Sequence, residues 1–175
     1  MPDLLVQDSD KNFSTWSSKE FISDEVKKSI SSKNVLIVPI ENFRNYPNPV
    51  FPVGTEELFH YLKDNSDNKL NVDVCIDDED YEELALHSDL IIIGSIIVTS
   101  FVAPIVVNLI SSYLEDKWLK KSKKESTQLK VEITVVDNDK GSKKFKYEGP
   151  ANKFKETLNE SIATKESKEI KEKKN

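Results

Sequence analysis

One cysteine, two histidines, four glycines and a single arginine are all that 175 residues supply of these types. Cys75 alone cannot close an internal disulfide, and with only His60 and His87 beside it no structural zinc set can be assembled. Gly54, Gly94, Gly141 and Gly149 stand too far apart to form GxGxxG or a P-loop, so nucleotide binding through those motifs is excluded. Arg44 is the one side chain able to give bidentate contacts to phosphate or guanine, and the formal net charge is -6. Nucleic acid is therefore an unfavoured partner. The first residues, MPDLLVQDSDKNFSTW, lack the basic start and apolar run of a secretory signal, which predicts a beginning in the cytosol. No internal repeat is present, and nothing in the sequence requires a cofactor.

What is there is unevenly spread. Hydrophobic residues make up 37% of the chain, and their longest uncharged stretch is 90–114. Residues 1–89 carry 8 basic and 19 acidic side chains, a net of -11, whereas 115–175 carry 17 basic and 12 acidic, a net of +5.

Local patterns predict an α/β fold. Residues 1–33 form a polar N-terminal segment, with an amphipathic helix predicted over roughly 18–31 from Phe21, Ile22, Val26 and Ile30. The β-branched run 34–40 is a strand, followed by an extended loop holding Pro47, Pro49 and Pro52. Thr55 as N-cap, Glu56 and Glu57 in the first turn, and Leu58, Phe59 and Leu62 on one side predict a helix over 55–64. A strand over 70–76, a short helix over 79–87 and a strand over 90–94 ended by Gly94 complete a β-α-β-α-β order for the 34–94 portion. A long apolar helix is then expected over roughly 96–117, within a 95–118 segment. A β-hairpin over 129–148 turns at Gly141, and a helix beginning after Pro150 has Phe154 and Leu158 on one face; together they make up a 119–162 portion. Residues 163–175 read as a charged, disordered tail.

The 90–114 block admits two readings. It is long enough for a transmembrane helix, with Pro104 as a tolerated kink, and Tyr113 and Trp118 lie where an interfacial aromatic belt would stand. Lys117, Lys120 and Lys121 would then meet anionic headgroups, with Phe101 in the apolar part, and the positive-inside rule would keep the C-terminal side cytoplasmic. That topology asks the acidic N-terminal portion to cross a bilayer without a signal. In the other reading the block is a central strand plus a helix buried in a cytoplasmic α/β domain or against a partner.

Two polar loops at strand ends are candidate ligand sites: Arg44 and Tyr46 in the first, Asp77, Asp78 and Asp80 in the second. With Glu41, the three aspartates offer hard oxygen ligands to magnesium or calcium, although a solvated acidic loop has the same composition. His87 suits a helix C-terminus better than a general base beside Asp89. Ser95, Ser100 and Cys75 have no base at a recognised spacing. Three functions follow: a non-enzymatic membrane-associated interaction or accessory protein, with a protein partner or self-association; an α/β subunit burying its apolar helix against a partner; and a small enzyme using the loops around Arg44 and Asp78.

Overall fold

The computed structural model describes residues 2–86, 90–119 and 127–173. Its elements run β1 (Asp3–Ser9), α1 (Phe13–Ser17), α2 (Asp24–Ile30), β2 (Val35–Val38), β3 (Phe51–Pro52), α3 (Thr55–Asp64), β4 (Val72–Val74), β5 (Glu83–Leu84), β6 (Ile91–Thr99), α4 (Ala103–Leu114), β7 (Gln128–Asp137), β8 (Gly141–Pro150) and α5 (Phe154–Lys173). The class is mixed α/β. Six strands form one sheet in the order β1-β8-β7-β6-β2-β4, and β3 pairs with β5 in a two-residue parallel ribbon.

The apolar block is where the structure departs most from expectation. Ile96, Ile97, Val98 and Thr99 are all β-branched, a composition that favours a pleated strand over a helix. They continue β6 beyond Gly94, which does not end the strand: it adopts φ +91° and makes a bulge between Ile92 and Gly94. A short turn at residues 100–101 leads into α4, with Pro104 in its first turn, where a missing N–H costs nothing. The twelve residues of α4 span about 18 Å against a hydrocarbon thickness of about 30 Å, and the π-helical turn that continues it, Glu115–Leu119, brings in Glu115, Asp116 and Lys117. Among the described residues, no helix is long and apolar enough to cross a membrane, which overturns the transmembrane reading.

The apolar surface of α4 is instead covered by its own chain. Ala103, Val106, Val107, Ile110, Tyr113 and Leu114 are buried between the sheet, α3 and α5.

The expected helix over 79–87 is also absent among its described residues, 79–86. A 3-10 turn over Asp78–Asp80 is followed by extended chain and β5. A helix there would have stacked Asp78 and Glu79 against Glu82 and Glu83 at i,i+3 and i,i+4, like charges that oppose it. Tyr81 stacks on Phe51 at 5.1 Å and holds the segment extended. Only β2-α3-β4 keeps the anticipated parallel crossover, since β6 joins β2 antiparallel.

At the N-terminus, the expected single helix is two: α1, closed by an Asn12–Thr15 capping box, and α2, capped by Ser23. β1, unforeseen, adds antiparallel to β8. The hairpin of β7 and β8 forms as anticipated, turning at Gly141. Phe154, Leu158 and Ile162 bury one side of α5, whose backbone stays helical through the Lys/Glu-rich stretch to Lys173; both residue types are good helix formers.

Two cores result. Helices α3, α4 and α5 cover one face of the sheet along its length, over Ile93, Ile96, Val98, Val131, Ile133, Phe145 and Tyr147. On the other face α1 and α2 place Trp16, Ile22 and Ile30 against Leu36, Val38 and Ile97, while the half made by β7, β8 and β1 exposes Asp3, Leu5, Gln7, Lys130, Lys146 and Glu148.

Candidate functional site

The uncovered half-sheet is overhung by the loop that leaves β2. Ile40 and Val50 exchange backbone hydrogen bonds of 2.8 and 3.1 Å, closing the chain between them into a projecting loop. Three of its residues are left-handed: Asn42 (φ 56°), Arg44 (φ 46°) and Asn45 (φ 62°). Asparagine tolerates that region, whereas at Arg44 it costs on the order of 1 kcal/mol or more. The neighbours hold the loop in place. Lys19 bridges Glu41 at 2.9 Å, and the Tyr46 hydroxyl donates to Glu82 at 2.5 Å, which raises the phenol's pKa.

Between this loop and the sheet lies a cleft of about 780 Å³. Leu5, Ile40, Phe43 and Ile92 supply its apolar lining, and Arg44 its loop-side cation. The guanidinium stands over the Phe43 ring at 5.1 Å and makes no ion pair among the described residues.

The floor is built by strand register. Asp3, Glu148, Lys130 and Ile92 form one row across β1, β8, β7 and β6; Leu5, Lys146, Glu132 and Ser95 form the next. Lys130 opposes Glu148 and Glu132 opposes Lys146, so the hairpin largely neutralises itself. Glu132 is further held by Lys144 at 3.5 Å and by the Ser95 hydroxyl at 3.2 Å. Asp3, by contrast, faces Glu148 directly. The bulge at Gly94 lies at the cleft wall, where a Cβ would come within 3.2 Å of Pro52.

Of the candidate residues from the sequence, Arg44 lines this cleft. Tyr46 is taken by Glu82. Asp77 accepts from the Ser23 N–H at 2.9 Å and from the Ser23 hydroxyl, bonds that hold its carboxyl below the ordinary range and anchor the start of α2. Asp78 and Asp80 are exposed in the 3-10 turn. The proposed cation set with Glu41 does not assemble: among the described residues no group of three metal-ligating side chains converges.

The residues assigned to lipid or an interface divide similarly. Phe101 is 90% exposed at the turn into α4. Tyr113 is buried, edge-on to Trp118 at 5.7 Å and tilted against Tyr61 at 5.4 Å. Lys117 bonds Glu57, donates to the Tyr113 hydroxyl at 3.2 Å and lies over the Trp118 ring at 4.8 Å. Tyr113 and Lys117 thereby tie the end of α4 to α3, and Trp118 packs on both. Lys120, Lys121 and His87 lie outside the described residues.

Sequence reasoning missed Glu83. Thr55 was the expected N-cap of α3, yet its hydroxyl donates to the Pro52 carbonyl at 2.6 Å and Gly54 takes the cap position at φ +97°. The Glu83 carboxylate does the capping from β5, accepting from Gly54 N at 3.2 Å, Glu56 N at 3.0 Å and the Tyr81 hydroxyl at 2.6 Å. Burial works against its charge, but those donors and nearby Lys117 prevail, and its pKa is lowered. Cys75 is buried and its thiol is pushed up to about 12, which suits filler and not a nucleophile. No family model, no curated protein and no solved structure matches this chain.

Proposed function

We propose that this chain is a non-enzymatic interaction protein, a subunit or accessory of a larger assembly, and that its partner docks in the cleft between the 42–46 loop and the uncovered half-sheet. The observation that carries this reading is the arrangement of the cleft: Arg44, held in a strained backbone state with no counter-ion among the described residues, beside Leu5, Ile40, Phe43 and Ile92. Strain at a projecting cation is a common mark of a binding loop, and apolar walls with a few placed charges are what a docking pocket needs. The complementary partner is a protein surface presenting a carboxylate next to an aliphatic side chain.

The test is site-specific photo-cross-linking in the source cells. A cross-linking residue at Phe43 or Ile40 should capture one and the same protein, and Arg44→Ala should abolish that capture. Equal capture from Glu156, exposed on α5 across the sheet, or capture indifferent to Arg44→Ala would overturn the assignment.

A further inference from the structure

The sheet has two edges, and they are finished differently. β4 is three residues long, and its outer side is closed by its own chain: the Asp73 carboxylate accepts from the Val74 N–H at 2.8 Å and from the Ser29 hydroxyl at 3.1 Å. A short strand with a carboxylate folded over its backbone cannot template another strand.

β1 has none of these devices. It is seven residues long, contains no proline or lysine, and pairs with β8 in unbroken register from Asp3 to Ser9. Among the described residues, β8 is the one element it packs against extensively, and residues 3–7 make no backbone hydrogen bond to any other described element. Leu5, in the middle, is 53% exposed.

We propose that two copies of this chain pair through β1, antiparallel about Leu5, so that their six-stranded sheets become one continuous sheet. The occupant is read from the sequence of the strand itself. A two-fold axis normal to the sheet keeps each side chain on its own face, so opposed residues must share parity. Centred on Leu5, the pairing sets Leu5 against Leu5, Leu4 against Val6 and Asp3 against Gln7. Leu4 and Val6 already pack against the helix-covered core, so their pairing extends that core across the junction. No acid meets another acid, and the register stops at Pro2, which has no N–H to give. Centring on Val6 instead sets Leu4 against Asp8 on the core face, which the transfer cost of a carboxylate disfavours. The pairing shares Leu5 with the cleft wall but draws on neither Arg44, Phe43 nor Ile40, which stand on the loop opposite the strand.

Sedimentation velocity of the full chain across the micromolar range, with and without Leu5→Lys, tests it. The wild type should dimerise, and Leu5→Lys, which sets two ammonium groups opposite each other at a half-exposed position, should raise the dissociation constant about 100-fold while the chain keeps its folded circular-dichroism spectrum. Disulfide trapping fixes the register. At the two-fold the Cα atoms lie about 4.5–5.5 Å apart, within reach of a disulfide, whereas two copies of residue 7 are offset by about 14 Å. In a glutathione buffer Leu5→Cys should form a covalent dimer and Gln7→Cys should not; Cys75, buried and protonated, does not compete. A wild type that stays monomeric overturns the proposal, as does a dimer that neither Leu5→Lys weakens nor Leu5→Cys traps. Arg44→Ala should leave dimerisation intact, so loss of cleft docking and loss of pairing are separable.

Discussion

The two faces of the β7–β8 hairpin are made by alternate residues of the same strands, yet they are held by different physics. Towards the helices point Leu129, Val131, Ile133, Phe145 and Tyr147, all buried; away from them point Lys130, Glu132, Lys146 and Glu148. The first set is worth roughly 25 cal/mol for each Å² of apolar surface it removes from water. The second contributes cross-strand pairs of a few tenths of a kcal/mol each, enough to keep the face soluble in register but not to hold the fold. One face thus carries the stability and the other is left available for recognition.

The comparison is broken most severely by a cavity on the helix-covered side. Ile110, fully buried in α4, replaced by alanine should lose about 3 kcal/mol in urea unfolding, while Lys146→Ala on the opposite face should change stability by less than about 0.5 kcal/mol. If the two losses were similar, the division of labour between faces would be wrong.

A smaller effect is expected where the two sides meet, at the bulge. Gly94→Ala forces a Cβ into a φ of +91° and to 3.2 and 3.3 Å from Pro52, and should cost about 1–2 kcal/mol; hydrogen exchange should locate the loosening at β3 and the bulged part of β6.

The smallest effect sharpens the electrostatic side. Glu83→Gln keeps an acceptor but loses the charge that caps α3, with an expected loss of about 0.5–1 kcal/mol at neutral pH. Because the carboxyl's pKa is lowered in the folded protein, its contribution is fully present above the ordinary carboxylate value and is lost as pH falls through the lowered one. Wild type and variant should therefore converge in stability on acidification. A difference that persisted at low pH would mean that the residue acts by packing.

The sequence reveals part of this arrangement. The α3 helix, the hairpin and the buried stripe of α5 follow from local periodicity and turn residues, because each is completed by neighbours in the chain. The second helix fails because the acids at 77–80 look like a helix start only until the glutamates at 82 and 83 are counted against them. Pro104, read as a tolerated kink, is a first-turn residue, and the β-branched run before it, read as helix, is strand. Length alone made the block resemble one helix. Arg44 could be singled out as the sole arginine, but its cleft depends on β1, β6, β7 and β8 converging from distant parts of the chain. Glu83 gave no local signal at all, since it caps a helix that begins 28 residues earlier.

The bulge in β6 also explains why the strand was hard to see. Ile91 and Ile93 face the helices before it, and Ile96 and Val98 face them after it, so the inward positions change from odd to even within one strand. Gly94 acts as a frame shift in the pleat. The outward positions are apolar as well, Ile92 at the cleft and Ile97 in the second core, so the alternation is hidden in an apolar run, and a single-residue change in length there would turn every later side chain of β6 to the opposite face.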